Sequence, residues 1–110
     1  MGYFETFVDK GGKHRFNLKS GNHQVILSSE GYANAAGLKN GIKSVQKNSK
    51  SADSFDKKKS KKGQPYFVLK AGNSEVIGKS EMYSSTSGCS NGIKSVMKNG
   101  SSKIIKKVTK

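Results

Sequence analysis

Residues 16–48 read FNLKSGNHQVILSSEGYANAAGLKNGIKSVQKN and residues 67–99 read FVLKAGNSEVIGKSEMYSSTSGCSNGIKSVMKN. Laid over one another at a constant offset of 51, without a gap, they agree at 19 of 33 positions. The chain therefore carries a tandem duplication, which constrains the fold more than any compositional figure. Two such units within 110 residues are each marginal, because small chains bury a small share of their surface on folding. Each should borrow core from the other. The expected organisation is one pseudo-symmetric domain over residues 1–110, with repeat one at about 1–50, repeat two at about 51–102 and a short basic tail at 103–110.

Working outward from these stretches, Tyr3–Val8 is aromatic and β-branched and is followed by the turn composition of residues 9–13. His14–Lys19 alternates strictly, with Phe16 and Leu18 on one face and Arg15, Asn17 and Lys19 on the other. Gly21-Asn22 supplies a reverse turn, with the glycine expected to take positive φ, and residues 24–27 form a third strand. The period then changes to that of a helix. Leu38, Ile42 and Val45 make its apolar stripe, Asn34 is the expected N-cap and Asn48 the expected left-handed terminator. Copy two repeats the order, with Phe55 matching Phe4, Pro65 opening a strand, Ser85 as N-cap and Cys89, Ile93 and Val96 as the stripe. The predicted fold class is α+β: a tandem duplication of a β-β-β-α unit, forming an antiparallel sheet of about six strands with two helices packed on one face. Residues 103–108 are expected to add a short edge strand. Gly37, Gly41 and Ser44, repeated as Gly88, Gly92 and Ser95, form a stripe of small residues along each helix, which predicts close approach of a neighbouring element.

No stretch approaches the roughly 20 apolar residues of a membrane span. The N-terminus lacks the sections of a secretory signal. The single Cys89 cannot form an intramolecular disulfide. A cytoplasmic monomer that does not engage membranes is expected. Net charge is +14, from 21 basic residues, of which only Arg15 is arginine, against seven acids. Residues 1–51 hold eight basic and three acidic groups, and the remainder 13 and four, so the excess concentrates in copy two. Such a field attracts polyanions.

The paired motifs Phe-x-Leu-Lys, Gly-Asn, Val-Ile, Ser-Glu-x-Tyr and Asn-Gly-Ile-Lys-Ser-Val-x-Lys-Asn resemble those of the YegP-like family of small bacterial proteins, a domain family of unknown function. The resemblance covers essentially the whole chain. It implies a duplicated β-β-β-α domain, with single-copy relatives dimerising to the same end, and brings no substrate, cofactor or catalytic residue.

Ser29-Glu30-x-Tyr32 and Ser80-Glu81-x-Tyr83 are the best paired polar candidates, since pseudo-symmetry could bring Glu30 and Glu81 together for acid/base work. Structural roles at the helix entrance weigh more heavily. His14 and His23 are not repeated and lack a spaced second ligand, so no metal site is expected. Cys89 lies on the apolar stripe and reads as a buried hydrophobe. Gly11, Gly12 and Gly21 sit in strand-to-strand turns, not in a phosphate loop, and no cofactor is expected. Lys57, Lys58, Lys59, Lys61 and Lys62 should occupy a strand end and its hairpin tip, where they could contact phosphates; Tyr3 and Tyr66 could add stacking if they face outward. The leading functional expectation is a non-catalytic protein- or ligand-binding module using the free sheet face (Arg15, Asn17, Lys19, Lys70) or the sheet edges. Nucleic-acid or polyanion binding through Lys57–Lys62 is the alternative, and an enzyme using Glu30 and Glu81 is the least favoured.

Overall fold

The computed structural model describes residues 2–108; Met1, Thr109 and Lys110, which complete the expected first repeat and basic tail, lie outside the described residues. Copy one contributes β1 (Tyr3–Val8), β2 (His14–Lys19), β3 (Val25–Ser29) and α1 (Ala35–Asn48). After a 3-10 turn at Ala52–Ser54, copy two contributes β4 (Phe55–Lys59), β5 (Pro65–Lys70), β6 (Val76–Lys79) and α2 (Thr86–Asn99), and the chain closes with β7 (Ile105–Lys107). The strands form one sheet in the order β4-β5-β6-β3-β2-β1-β7.

Two antiparallel meanders thus meet through β3 and β6, where Ser28 pairs with Lys79. Those two residues are themselves 51 positions apart, so the pseudo-two-fold axis passes between them. Both meanders shift register at the same place, between Leu18 and Lys19 and between Leu69 and Lys70. The extra residue lets both Ile26 and Leu27 reach the buried side, where strict alternation would expose one of them. Each copy sets a pair of phenylalanines edge to face, Phe4 with Phe16 at 5.5 Å and Phe55 with Phe67 at 5.6 Å. The apolar stripes of both helices cover this one face, and the buried residues of both copies make a single contiguous cluster.

The expected edge strand within residues 103–108 forms as β7, the seventh strand among the described residues, but the sheet is not antiparallel throughout as expected: β7 runs parallel to β1. The duplication explains this. Residues 105–107 stand 51 positions after 54–56, so β7 leaves α2 where β4 leaves α1. β4 takes the slot beside β5; the equivalent slot beside β2 is already held by β1, and β7 settles outside it in the same direction.

Two turn and cap expectations are corrected. In the β2–β3 and β5–β6 turns the left-handed residue is not Gly21 or its counterpart Gly72 but His23 (φ 68°) and Ser74 (φ 69°), matching Gly12 (φ 81°) and Gly63 (φ 82°) in the other two hairpins. All four loops have the same form, in which the third loop residue absorbs the positive φ. Asn48 is not a left-handed terminator; it stays within α1 and its Nδ2 donates to the Ser44 carbonyl at 2.8 Å. The N-caps are as expected, with Asn34 accepting from Gly37 N–H at 2.8 Å and Ser85 from Gly88 N–H at 3.0 Å.

At two places equivalent residues face each other across the axis. Leu27 lies over its counterpart Gly78, where a Cβ would stand 2.8 Å from the Leu27 Cγ. Ser49, just after α1, lies against its counterpart Gly100, where a Cβ would collide with the serine side chain. Ser49 is fully buried and its Oγ has no hydrogen-bond partner among the described residues.

Candidate functional site

The Ser-Glu-x-Tyr motif builds the passage from the sheet into each helix. Ser29 Oγ accepts from Phe16 N–H at 2.9 Å and donates to the Glu30 carbonyl at 2.8 Å; Ser80 does the same with Phe67 (3.0 Å) and Glu81 (2.8 Å). Tyr32 then exchanges two backbone hydrogen bonds with His14, both 2.8 Å. Tyr83 has only one such bond, its N–H donating to Pro65 O at 2.8 Å, because Pro65 has no N–H to return. Each tyrosine ring lies along the following helix, with its hydroxyl where a Cβ on Gly41 or Gly92 would go. The small-residue stripe thus admits a side chain of the same copy, not another backbone. Burial pushes both phenols above their ordinary value, assisted by Glu30 and Glu75 at Tyr32 and by Cys89 and Glu81 at Tyr83.

Glu30 and Glu81 are exposed, and each stands near the tyrosine of its own copy. The geometry places them at separate helix entrances. Two pseudo-equivalent polar grooves flank these entrances, of about 440 and 470 Å³. Each lies between one copy's helix and the other copy's β-turn: Tyr83, Asn91 and Ser95 face Asn22, and Tyr32, Asn40 and Ser44 face Asn73. His14 is held in its bridge to Tyr32, and His23 Nδ1 shares a 2.9 Å hydrogen bond with Tyr3 Oη. Cys89 is buried, which raises its thiol pKa.

The free sheet face is internally paired. Arg15 binds Asp9 at 2.5 Å, Lys19 binds Glu5 at 3.1 Å, and Asp56 takes Lys70 at 3.1 Å and Lys58 at 3.5 Å. Asn17 accepts from Ser28 Oγ at 2.9 Å. Tyr3 and Tyr66 do point to this face but are covered, by Lys106 at 4.5 Å and Lys79 at 5.1 Å from the ring centroids. Tyr3 is buried, so it offers no exposed stacking platform.

The Lys57–Lys62 run does not form one patch, because a strand sends successive side chains to opposite faces. Lys57 and Lys59 belong to the helix side with Phe55, Lys58 to the paired face, and Lys61 and Lys62 to the exposed hairpin tip. Lys57 Nζ donates to Ser90 Oγ on α2 at 3.1 Å. That contact reveals a feature the sequence reading passed over. On α1, Lys39, Lys43 and Lys47 recur at four-residue intervals along the exposed side; on α2 the equivalents are Ser90, Lys94 and Lys98, and Lys57 brings its ammonium to the position the serine leaves without charge. Neither helix contains an acidic residue, and none of these six lysines joins an ion pair among the described residues. The signal was legible as lysines at helical spacing in two segments free of Asp and Glu.

A family described as a domain of unknown function, DUF1508, matches residues 9–56 and again 60–106. The chain belongs to this family. The matched units run β2-β3-α1-β4 and β5-β6-α2-β7, the phase in which β4 and β7 are equivalents. The UPF0339 protein YegP of Yersinia pestis is 51% identical over 109 residues, 99% of this chain and 97% of its own. A UPF0339 protein of Mannheimia succiniciproducens is 47% identical over 110 residues, 100% of this chain and 97% of its own. Two solution NMR structures share the fold: a UPF0339 protein of Shewanella oneidensis (TM-score 0.91, 47% identity, 96% of this chain and 90% of that one) and yegP of E. coli, described as a protein of unknown function (TM-score 0.92, 40% identity, 96% and 91%). Among the described residues, no helix is long and apolar enough to cross a membrane.

Proposed function

We propose that this protein is a non-catalytic binding module whose helical layer holds the phosphate backbone of nucleic acid. The observation that carries this reading is the double cationic stripe: Lys39, Lys43 and Lys47 on α1, and Lys57, Lys94 and Lys98 along α2, with the gap at Ser90 filled by a lysine from β4. Four-residue steps on a helix rise about 6 Å, so each stripe spans about 12 Å, a length over which a nucleic-acid backbone offers several phosphates. The opposite face supports the same reading by contrast, since Arg15, Lys19, Lys58 and Lys70 there are paired with Asp9, Glu5 and Asp56, and Lys79 and Lys106 lie over tyrosine rings. Lys57 belongs to both the original lysine run and the stripe, while Lys61 and Lys62 contribute only distant charge.

The test is fluorescence anisotropy with labelled duplex DNA and single-stranded RNA across about 50–200 mM salt. Changing Lys43, Lys47, Lys94 and Lys98 together to Gln should reduce the slope of log K against log salt by up to about 3.6 for duplex DNA, four contacts at about 0.9 each. Changing Lys61 and Lys62 to Gln should leave most of the affinity. Equal losses from both variants would mean that net charge alone governs binding, and the reading would fall.

A further inference from the structure

We propose that the outer edge of β4 is a docking strand for an extended acidic segment of a partner protein, taken up in parallel as β1 takes up β7. This goes beyond phosphate binding and rests on the backbone of a sheet edge. On the copy-one side, Phe4 N–H donates to Ile104 O at 2.9 Å and Val108 N–H donates to Thr6 O at 2.8 Å, so the peptide groups of Phe4 and Thr6 face outward to β7. Fifty-one residues later the same geometry turns Phe55 and Lys57 outward. Phe55 N–H is folded back onto the Ala52 carbonyl. That leaves the Phe55 carbonyl, both backbone groups of Lys57 and the Lys59 N–H along an edge that pairs with no strand among the described residues.

The internal symmetry shows what such an edge accepts. Beside β1, Ile105, Lys107 and Val108 help close a groove of about 330 Å³ with Val8, His14 and Leu38. The equivalent groove beside β4, about 170 Å³, is lined by Lys57, Lys58, Lys59, Pro65, Thr86 and Cys89 and has no strand over it among the described residues. Charge selects the occupant. A second copy offering its own β7 would set Lys107 against Lys57 and place Lys106 opposite Asp56, which already holds Lys58 and Lys70, and like charges facing across paired strands repel. An acidic segment reverses the sign, with an apolar residue opposite Phe55, as Ile105 stands opposite Phe4, turned toward Cys89. This is strand addition to a sheet edge, with main-chain hydrogen bonds for affinity and side chains for selectivity.

The probe is a peptide of the 103–108 sequence with its three lysines replaced by glutamate, titrated to about 1 mM into the isotope-labelled full chain and followed by amide NMR. Three comparisons accompany it: the native-sequence peptide, a glutamate peptide of equal charge interrupted by proline, and Lys57→Pro protein. An edge strand tolerates the proline because the lost N–H faces outward. The expected result is shifts at residues 55–59 and 86–90, binding at least about tenfold tighter than that of the native-sequence peptide, and a similar loss with Lys57→Pro. Equal binding of the proline-interrupted peptide would reduce the effect to charge and overturn the proposal, as would shifts centred on the helix lysines or no shift at all. The variant with Gln at positions 43, 47, 94 and 98 should still take up the peptide, so failure here and failure of phosphate binding are separately visible.

Discussion

Replacing Gly92 by alanine should destabilise the protein, although the substitution favours helix. Alanine in a helix interior gains about 1 kcal/mol over glycine. At position 92 the new methyl would collide with the Tyr83 hydroxyl, approach its Cζ to 2.6 Å and the Phe67 ring to 3.1 Å. The phenol cannot simply tilt away, because it stacks on Phe67 with centroids 6.3 Å apart and planes 11° apart. Driving it out forfeits about 1.5–3 kcal/mol of burial and roughly 0.5–1.5 kcal/mol of ring pairing. The net change is a loss of about 1–3.5 kcal/mol, read as the midpoint shift in urea unfolding at unchanged slope. Gly88, one turn earlier, is the internal control: a Cβ there meets Tyr83 at an ordinary 3.5 Å, so Gly88→Ala should stabilise by up to about 1 kcal/mol. In a Tyr83→Ala background Gly92→Ala should also become stabilising. A stabilising Gly92→Ala in the native background would refute the packing argument.

Ser74→Gly should stabilise by about 1 kcal/mol in thermal unfolding, since it relieves a left-handed serine. His23→Gly should gain less because it also loses the Tyr3 hydrogen bond. Ser49→Ala should raise stability by about 1 kcal/mol in the same assay by removing a buried hydroxyl without a partner. Asp9 is held below its ordinary value of 3.8 by Arg15 and the Lys13 and Gly11 amides, and Asp56 by Lys70 and Lys58. Groups lowered on folding stabilise above their unfolded pKa and lose that contribution as pH falls through the folded value. Stability should therefore decline as pH drops below about 3.8, and Asp9→Asn with Asp56→Asn should flatten that limb of a pH series of urea melts.

Much of this fold was written in local pattern. β1 has the bounds that its aromatic and β-branched residues predicted and β2 those that alternation predicted, and Asn34 and Ser85 cap their helices because their side chains can reach an amide three residues on. What failed locally was decided by partners distant in sequence. The seventh strand runs parallel because two segments contend for one slot, which no window of sequence displays. The glycine stripe announced a close approach, but its cause, the rings of Tyr32 and Tyr83, depends on how the chain turns after Ser29 and Ser80. The lysine run read as one patch because adjacency in sequence was taken for adjacency in space, whereas β4 divides it between two faces. The two helix stripes were missed for the opposite reason: their charges are dispersed in sequence and aligned only by the helix.

The duplication has a further consequence at the symmetry axis. In a dimer of identical single copies, a residue touching its own equivalent meets the same side chain, so two leucines would have to share the space over Gly78 and two serines the space beside Gly100. Joining the copies in one chain removes that identity. Leucine can then answer glycine, and serine glycine, and the junction closes like a lock and its key where a homodimer could offer only two keys or two locks. Divergence at those few positions allows the central seam to be tighter than any symmetric seam made from either copy alone.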